Sequence, residues 1–299
     1  MLMKKAIRDK YLLLMIAPVA VYYIIFHYIP MYGIIIAFKD FAVSKGVLGS
    51  EWVGLKWFQE FFNSFFFFRI LKNTLLISLY GLLFGFWVPI LFALMINELK
   101  DGFFKRFAQT VSYLPHFISV VVVVGMMVMF LSPTNGIINL ALNQFGIESI
   151  SFFNDTNWFR TLYIGSDIWQ SFGWNSIIYL AAMSGINTQL YEAARCDGAT
   201  RWQQMLYVTI PGIRATIVIL LILSVGNMMN VGFEKILLMY NPSTYEVSDV
   251  ISTYVYRRGI LAGDYSYGAA VGLFNSTVNF ILLISVNYIS RRVNETSLW

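Results

Sequence analysis

Long apolar runs dominate the chain, and shorter polar stretches separate them. A helix that crosses the hydrocarbon core of a bilayer needs about 20 predominantly apolar residues. Six runs meet this length, so the pattern predicts an all-α integral membrane protein with transmembrane helices at about 12–37, 70–96, 108–131, 160–185, 213–238 and 265–290. Since no soluble-domain linker or low-complexity tract interrupts them, we predict a single transmembrane domain over residues 1–299.

Lysine and arginine residues indicate the orientation, because cytoplasmic loops beside membrane spans carry an excess of both. Eight basic residues are spread over the longer segments of one side, and twelve crowd the short segments of the other. The crowded set consists of Lys4, Lys5, Arg8, Lys10, Lys100, Lys105, Arg106, Arg195, Arg201, Arg214, Arg291 and Arg292. Its higher density predicts that both termini and the loop at 189–212 are cytoplasmic.

The composition agrees with a membrane location. Hydrophobic residues make up 58% of the chain and charged residues only 12%, whereas a soluble domain carries roughly a quarter charged residues. The net charge of +5 is compatible with nucleic-acid binding, but the basic residues form no stripe or motif. We therefore predict lipid as the surroundings and no nucleic-acid partner.

The chain carries no recognisable motif for chemistry of its own. It has no Gly-x-x-x-x-Gly-Lys-Ser/Thr phosphate loop, no His-Glu-x-x-His and no cysteine cluster, and His27 and His116 lie far apart. We therefore predict no catalytic residue, no metal site and no cofactor bound by this chain. Ionisable residues are scarce in the apolar runs, whereas a proton- or sodium-coupled carrier usually needs some there. This scarcity favours an energy source outside the chain.

The loop at 189–212, between the fourth and fifth runs, predicts two short helices. Gly198 separates them, because glycine readily takes the conformation that ends a helix. Thr200 and Gln203 have the spacing of a capping box at the start of the second helix. Pro211 is expected to stop this helix where the chain re-enters the membrane.

The same loop carries a recognisable pattern. Glu192-Ala193-Ala194 precedes Asp197-Gly198-Ala199, and Ile210-Pro211 closes the loop. The small alanines leave room for another protein, and the glutamate offers a charge to a basic partner. The pattern resembles the EAA loop of ABC importer permeases, whose coupling helices dock on an ATPase subunit. The resemblance implies an ATPase-coupling role for Glu192, Ala193, Ala194, Asp197, Gly198, Ala199 and Pro211.

The resemblance extends over nearly the whole chain. Segments at 28–41, 113–119 and 233–257 are similar to LplB-type oligosaccharide permeases, a branch of the maltose-permease-like carbohydrate importers. It implies a type I ABC importer permease architecture in a bacterial cell membrane, with cytoplasmic coupling helices between helices 4 and 5. It also implies a second homologous permease, two ATPase subunits that use ATP and Mg, an extracellular solute-binding protein and an oligosaccharide substrate.

Aromatic and amide side chains in the fourth and fifth runs suit a sugar, because its C–H faces pack on rings and its hydroxyls need polar partners. Trp169, Trp174 and Asn175 lie in the fourth run. Asn227 and Asn230 in the fifth would share one helical face. This pair also resembles, in its distance past the EAA loop, the asparagines that contact sugar in the maltose permease. We predict a substrate path along these five residues, with helix–helix hydrogen bonding as the alternative.

Three other functions remain open from the sequence. An ABC permease for amino acids or phosphate would carry the same kind of loop. An ion-coupled secondary carrier would transport without an ATPase. A membrane-embedded enzyme, such as a lipid-modifying transferase, would need acidic, histidine or metal-binding groups gathered at one membrane face, and no such group is apparent.

Overall fold

The computed structural model describes residues 10–294, so Lys4, Lys5 and Arg8 of the charge argument lie outside the described residues. Most of this range is helical. The α-helices are α1 (Lys10–Tyr23), α2 (Ile29–Met31), α3 (Gly46–Gly49), α4 (Lys56–Phe62), α5 (Phe67–Tyr80), α6 (Trp87–Glu98), α7 (Phe103–Tyr113), α8 (Val120–Phe130), α9 (Ile137–Gln144), α10 (Thr156–Ser184), α11 (Thr188–Cys196), α12 (Arg201–Gln204), α13 (Ile210–Gly212), α14 (Arg214–Gly226), α15 (Phe233–Met239), α16 (Tyr245–Ser248), α17 (Ile251–Val255) and α18 (Tyr265–Asn294).

Other elements connect these helices within the described range. Turns of π-helix occupy Ile24–Tyr28, Gly81–Gly85, Met205–Thr209 and Tyr256–Leu261, and 3-10 helices occupy Tyr32–Phe38 and Leu114–Phe117. Two short strands, β1 (Lys39–Asp40) and β2 (Glu51–Trp52), pair antiparallel with Lys39 opposite Trp52. The all-α fold class predicted from the sequence is therefore confirmed, apart from this small strand pair.

Three continuous helical stretches of the described chain are long and apolar enough to cross a membrane. They are Lys10–Phe38, Phe67–Glu98 and Tyr265–Arg292, with mean hydropathies of 2.1, 2.2 and 1.8. These stretches correspond to the predicted runs at 12–37, 70–96 and 265–290. Two bent helix pairs raise the number of candidate spans to as many as five. Six crossings therefore stay a prediction.

Prolines explain the wide turns in the first two stretches. A proline lacks an N–H group, and its ring crowds the carbonyl four residues earlier. Pro30 and Pro89 each have that earlier residue, Phe26 and Gly85 respectively, inside a π-helical turn. The local change of winding relieves the crowding while the helix continues.

The predicted span at 108–131 is wrong as a single straight helix. Phe103–Phe117 and Val120–Phe130 meet at an angle of 98°. Ser119 begins the second helix, and its hydroxyl accepts a hydrogen bond from the Val122 amide at 3.4 Å. Gln170 of α10 donates a hydrogen bond to the Ile118 carbonyl at 2.7 Å. A neighbouring helix therefore supplies a partner for a backbone carbonyl at the bend.

The predicted span at 160–185 is helical up to Ser184, within α10. Asp155 caps this helix, because its carboxylate accepts a hydrogen bond from the Asn157 amide at 2.9 Å. The 29 residues of α10 are enough to cross a bilayer. Even so, α10 is not among the helices that are both long and apolar, because polar residues such as Asp167 and Asn175 interrupt it.

The predicted span at 213–238 is also wrong as one helix. Helix α14 ends at Gly226, residues 227–232 are not helical, and α15 then begins. A Cβ atom on Gly226 would lie 2.5 Å from Leu283 Cδ1, so this glycine permits the close approach of α18. At its other end, α14 is bent by 59° from the preceding helical stretch Arg201–Gly212.

The described chain contains two compact units. The first consists of the described residues up to Ser64 together with Val255–Phe274, and the second consists of Phe65–Tyr254 and the residues from Asn275 onward. The single transmembrane domain over residues 1–299 stays a prediction.

Arg258 organises charged and aromatic groups inside the first unit. Its guanidinium pairs with Glu60 and with Asp264, the latter at 3.2 Å, and it lies 3.8 Å from the centre of the Tyr267 ring. A cation placed on the face of an aromatic ring is favourable, so this cluster supports the position of α4, which carries Glu60.

The second unit contains two buried apolar clusters. One joins residues of α5, α8, α10 and α15 and consists of Ile77, Val124, Phe159, Tyr163, Ile164, Val231, Ile236, Met239 and Val250. The other lies where α6 packs along α10 and consists of Ile90, Ala93, Leu94, Tyr179, Met183 and Ile213. Because both clusters include residues of α10, this helix is the central element of the unit.

Candidate functional site

A cavity of about 560 Å³ lies inside the second unit. Its wall is formed by α5, α6, α10, the end of α14 and the non-helical segment 227–232. The volume is within the range of small-molecule sites. Polar side chains contribute much of the wall, namely Ser78, Asp167, Ser171, Asn175, Ser224, Asn227 and Asn230.

Three of the five residues predicted for a substrate path line this cavity. Asn227 and Asn230 do so from the non-helical segment, not from a helical face as the sequence analysis expected, and Asn175 does so from α10. Trp169 and Trp174 are not part of the wall. Trp174 instead stacks on His116, with 4.5 Å between the ring centres. The role of the five residues in solute contact stays a prediction.

Side chains from three helices hold the non-helical segment in place. Within a membrane, backbone groups freed by a helix break need partners from the protein, because no bulk water is available. The three hydrogen bonds run from the Ser78 hydroxyl to the Met228 carbonyl, from the Met229 amide to Asn279 Oδ1 (2.9 Å) and from the Gly232 amide to the Tyr163 hydroxyl (3.1 Å). None of the three anchors is predicted from the sequence, although each is a polar residue inside an apolar run.

Removing one anchor is expected to loosen the segment without removing a cavity-lining amide. Tyr163→Phe keeps the ring but leaves the Gly232 amide without its acceptor, which costs about 1–3 kcal/mol for a buried group. We expect the free energy of unfolding to fall by this amount. Amide hydrogen exchange in 227–232 should be roughly tenfold faster, because the same energy favours local opening. Hydrogen exchange followed by mass spectrometry measures both effects.

Tyr179→Phe is the matched control for this prediction. Tyr179 also lines the cavity and is buried, but its hydroxyl has no hydrogen-bond partner among the described residues. Equal acceleration of exchange in the two variants would contradict the anchoring role of Tyr163.

One charged pair stands at the cavity wall. Lys235 Nζ lies 3.5 Å from Asp167 Oδ1, and the ammonium group also lies 5.3 Å from the centre of the Tyr163 ring. The Asp167 side chain is 61% exposed, whereas that of Lys235 is only 5% exposed. This pair is not predicted from the sequence. The available signal was the presence of ionisable residues within two apolar runs, which is a functional indicator in membrane proteins.

The loop at 189–212 forms the two short helices that the sequence predicts. Helix α11 ends before Gly198, whose φ of +79° lies in the left-handed region that favours glycine. The Gly198 amide donates to the Arg195 carbonyl at 3.0 Å, which closes the turn. Thr200 and Gln203 make the predicted capping box, with the Thr200 amide donating to Gln203 Oε1 at 2.8 Å.

The prediction that Pro211 stops the second helix is wrong. The helical path runs through the π-helical turn Met205–Thr209 and past Pro211 to Gly212, because the wider turn accommodates the proline ring. A Cβ atom on Gly212 would lie 2.7 Å from Ile186 Cδ1, so the chain bends at a site of close packing.

Most of the predicted coupling residues lie at the surface of the described chain. Glu192, Ala193, Asp197, Gly198 and Pro211 are exposed, while Ala194 and Ala199 are half-buried. The Tyr191 hydroxyl and Thr209 Oγ1, 2.9 Å apart, join the two ends of the loop.

Apolar side chains accompany these residues at the loop surface. Leu190 is 54% exposed and Trp202 is 65% exposed. Neither residue is among the predicted coupling residues. Together with the exposed Glu192, they give the loop a mixed apolar and charged surface, which is typical of protein interfaces.

Over residues 10–294, no three His, Cys, Asp or Glu side chains are grouped so as to hold a metal ion.

Long apolar helices, a polar cavity beside a helix break and an exposed two-helix loop define a membrane transport permease. Residues 81–295 match the family described as binding-protein-dependent transport system inner membrane component. The chain belongs to this family and is a permease subunit of an ABC importer.

Relatives of known name match this chain over nearly its full length. It is 45% identical over 298 residues to the polygalacturonan/rhamnogalacturonan transport system permease protein YteP of Bacillus subtilis strain 168, covering 100% of this chain and 93% of YteP. It is 43% identical over 292 residues to protein LplB of the same organism, covering 98% of this chain and 92% of LplB. The resemblance inferred from the sequence is therefore confirmed.

Solved structures of ABC transporters contain chains with the same fold. A chain in the crystal structure of a bacterial ABC transporter involved in the import of the acidic polysaccharide alginate is 44% identical. The two superpose with a TM-score of 0.91 over 98% of this chain and 99% of the other. A chain of an amino acid ABC transporter, with 16% identity and a TM-score of 0.51, shares the fold alone. The type I ABC importer permease class predicted from the sequence is confirmed.

Proposed function

We propose that this chain forms one half of the path by which an ATP-driven importer moves oligosaccharides across a bacterial cell membrane. The polar cavity beside the helix break carries this proposal. Its amides and hydroxyls can both donate and accept hydrogen bonds, which suits the many hydroxyl groups of a sugar. Relatives named for polygalacturonan/rhamnogalacturonan and for arabinooligosaccharides support the same substrate class.

The remaining components are supplied by other chains. A second homologous permease completes the path, two ATPase subunits bind ATP and Mg on the cytoplasmic side, and an extracellular solute-binding protein delivers the sugar. One alginate transporter structure is a complex with a pentasaccharide-bound periplasmic protein, which supports the last component. This chain performs no chemistry itself, and both its termini face the cytoplasm.

The loop at 189–212 transmits the motion of the ATPases. Its exposed charged and apolar residues contact them, and the Tyr191–Thr209 contact keeps its two ends together. Because the loop continues through a 59° bend into α14, a displacement of the loop moves α14 as a lever. Helix α14 ends at the cavity, so the movement opens and closes access to the solute.

Uptake by the complete complex in proteoliposomes tests the proposed function. Labelled oligosaccharide and its binding protein are placed outside, and ATP is varied inside. Uptake is expected only with ATP inside, and it should be unaffected when ion gradients are dissipated. Uptake that persists without ATP and follows an ion gradient would favour a secondary carrier and exclude the proposal.

Loss of the exposed carboxylate in the loop is expected to weaken coupling. Glu192→Ala removes a charge that pairs with a basic group of the ATPase, a loss of about 2 kcal/mol for a charge covered at an interface. Transport per ATP hydrolysed should fall by roughly tenfold or more by the same energy. Glu148→Ala, which removes an exposed carboxylate from another loop, is the matched control. Equal coupling in both variants would argue against the contact.

A further inference from the structure

Asp167 has an unusual position in the cavity wall. Of the described residues that form the wall, it is the one that carries a formal charge, and the other polar members are serine, asparagine and tyrosine side chains. Its carboxylate is open to the cavity, since the side chain is 61% exposed. A solute in this cavity therefore meets one negative group among neutral ones.

Lys235 supplies the counter-charge from behind the wall. Its ammonium lies 3.5 Å from Asp167 Oδ1 and over the ring of Tyr163, and only 5% of its side chain is exposed. The pair gives the buried ammonium a charged partner and holds the carboxylate at the wall. Because Lys235 is covered, a solute reaches the carboxylate but not the ammonium.

Asp167 also begins a polar strip along α10. Ser171 and Asn175 follow at intervals of four residues, so the three side chains share one helical face, and all three line the cavity. The Ser171 hydroxyl donates to the Asp167 carbonyl at 2.7 Å, which leaves its oxygen as an acceptor. Asp167 and Ser171 therefore offer acceptors to the cavity, whereas the Asn175 amide can both donate and accept.

This arrangement distinguishes two kinds of sugar. A hydroxyl group donates a hydrogen bond to a carboxylate, and such a charge-assisted bond is stronger than a neutral one. The carboxylate of a uronic acid has no proton to donate and repels Asp167, with an effect that increases where water is excluded.

We propose that Asp167, held by Lys235, accepts hydrogen bonds from sugar hydroxyls, so that this wall takes an uncharged stretch of the oligosaccharide and disfavours uronate carboxylates. The inference rests on the proposed function, since it assigns a specificity-determining residue to the same cavity.

Matched ligands and an isosteric substitution test the inference in the reconstituted complex. The probes are galacturonate oligomers with free carboxyls, the same oligomers with methyl-esterified carboxyls, and neutral galactooligosaccharides. Asp167→Asn keeps the size of the side chain and removes its charge. For each probe, the ratio of KM in the variant to KM in the wild type cancels the preference of the solute-binding protein.

Asp167→Asn is expected to raise the KM for esterified and neutral probes about tenfold, as fits the loss of a charge-assisted bond. The KM for the free acid should stay the same or fall. Glu234→Gln, which changes an exposed carboxylate beside Lys235 and outside the cavity wall, should leave all ratios near one. A proportional change for charged and uncharged probes, or a higher KM for the free acid alone, would overturn the inference.

A second variant guards against misfolding. Asp167→Asn leaves Lys235 buried without its charged partner, so the double variant Asp167→Asn/Lys235→Met removes both charges and keeps a long side chain at 235. It should fold as the wild type does in size-exclusion chromatography and show the same shift in selectivity. Wild-type selectivity in the folded double variant would overturn the inference. Failure of the wild-type complex to take up any probe would count against the proposed function instead.

Discussion

Gly173→Ala is expected to disrupt the packing of α10 against α7. A Cβ atom at this position would lie 2.0 Å from the Ser112 carbonyl oxygen and 2.5 Å from its carbonyl carbon. Both are backbone atoms, so no side-chain rotation relieves the overlap and the two helices must separate. We expect a loss of at least about 3 kcal/mol in the free energy of unfolding. The thermal midpoint of the detergent-solubilised complex, followed by size-exclusion chromatography, measures this loss.

Gly165→Ala in the same helix is the control. A Cβ atom at Gly165 has no atom within 4 Å to contact, and alanine favours a helix over glycine by about 1 kcal/mol. This variant is expected to be as stable as the wild type or slightly more so. A similar loss of stability at both positions would contradict the close contact between α10 and α7.

Gly198→Val is expected to separate ATP hydrolysis from transport. The φ of +79° is strained for a β-branched side chain, at a cost of about 1–3 kcal/mol. Valine therefore changes the turn between α11 and α12, and the exposed Glu192 and Trp202 lose their relative orientation. Transport per ATP hydrolysed should fall by about tenfold to a hundredfold, as the same energy implies. Paired measurements of uptake and phosphate release give this ratio.

Gly198→Asn provides the comparison at the same position. Asparagine tolerates the left-handed conformation better than other residues with a Cβ atom, so the turn should persist and coupling should be nearly retained. Undiminished transport in the Gly198→Val variant would exclude the assigned role of this turn in coupling.

The parts of the structure that follow from short-range signals could be predicted from the sequence. The helix end at Gly198 and the capping box of Thr200 and Gln203 depend on residues within a few positions of each other, and both predictions are confirmed. The apolar runs likewise indicated most of the long helices, because hydrophobic length is a property of one segment at a time.

The helix break at 227–232 could not be predicted in this way. The segment lies in an apolar run whose local pattern resembles an ordinary membrane helix. Its stabilising partners, Ser78, Tyr163 and Asn279, come from three other runs and are brought together only by the fold. The prediction that Asn227 and Asn230 share a helical face is therefore wrong, because the chain is not helical there.

The charged pair illustrates the same difficulty at the cavity. Asp167 and Lys235 are 68 positions apart, so neither predicts the other. Trp174 shows the opposite error, a residue predicted for the substrate path that does not line the cavity. Its neighbour Asn175 lines the wall, but Trp174 does not. It stacks on His116 from another segment, a contact that no local pattern indicates.

The 98° bend between α7 and α8 has a consequence for biosynthesis. Helix α8 contains 11 residues and extends about 16 Å, roughly half the hydrocarbon thickness of a bilayer. Helix α10 is long enough but interrupted by polar residues, so neither helix meets the combined requirement of length and hydrophobicity by itself. A translocon that selects segments by hydrophobicity should retain both poorly when they arrive separately. The Gln170–Ile118 hydrogen bond joins α10 to the bend just before α8, and the close approach of Gly173 to Ser112 joins α10 to α7. We therefore expect the earlier segment to complete its membrane insertion only after α10 has emerged from the ribosome.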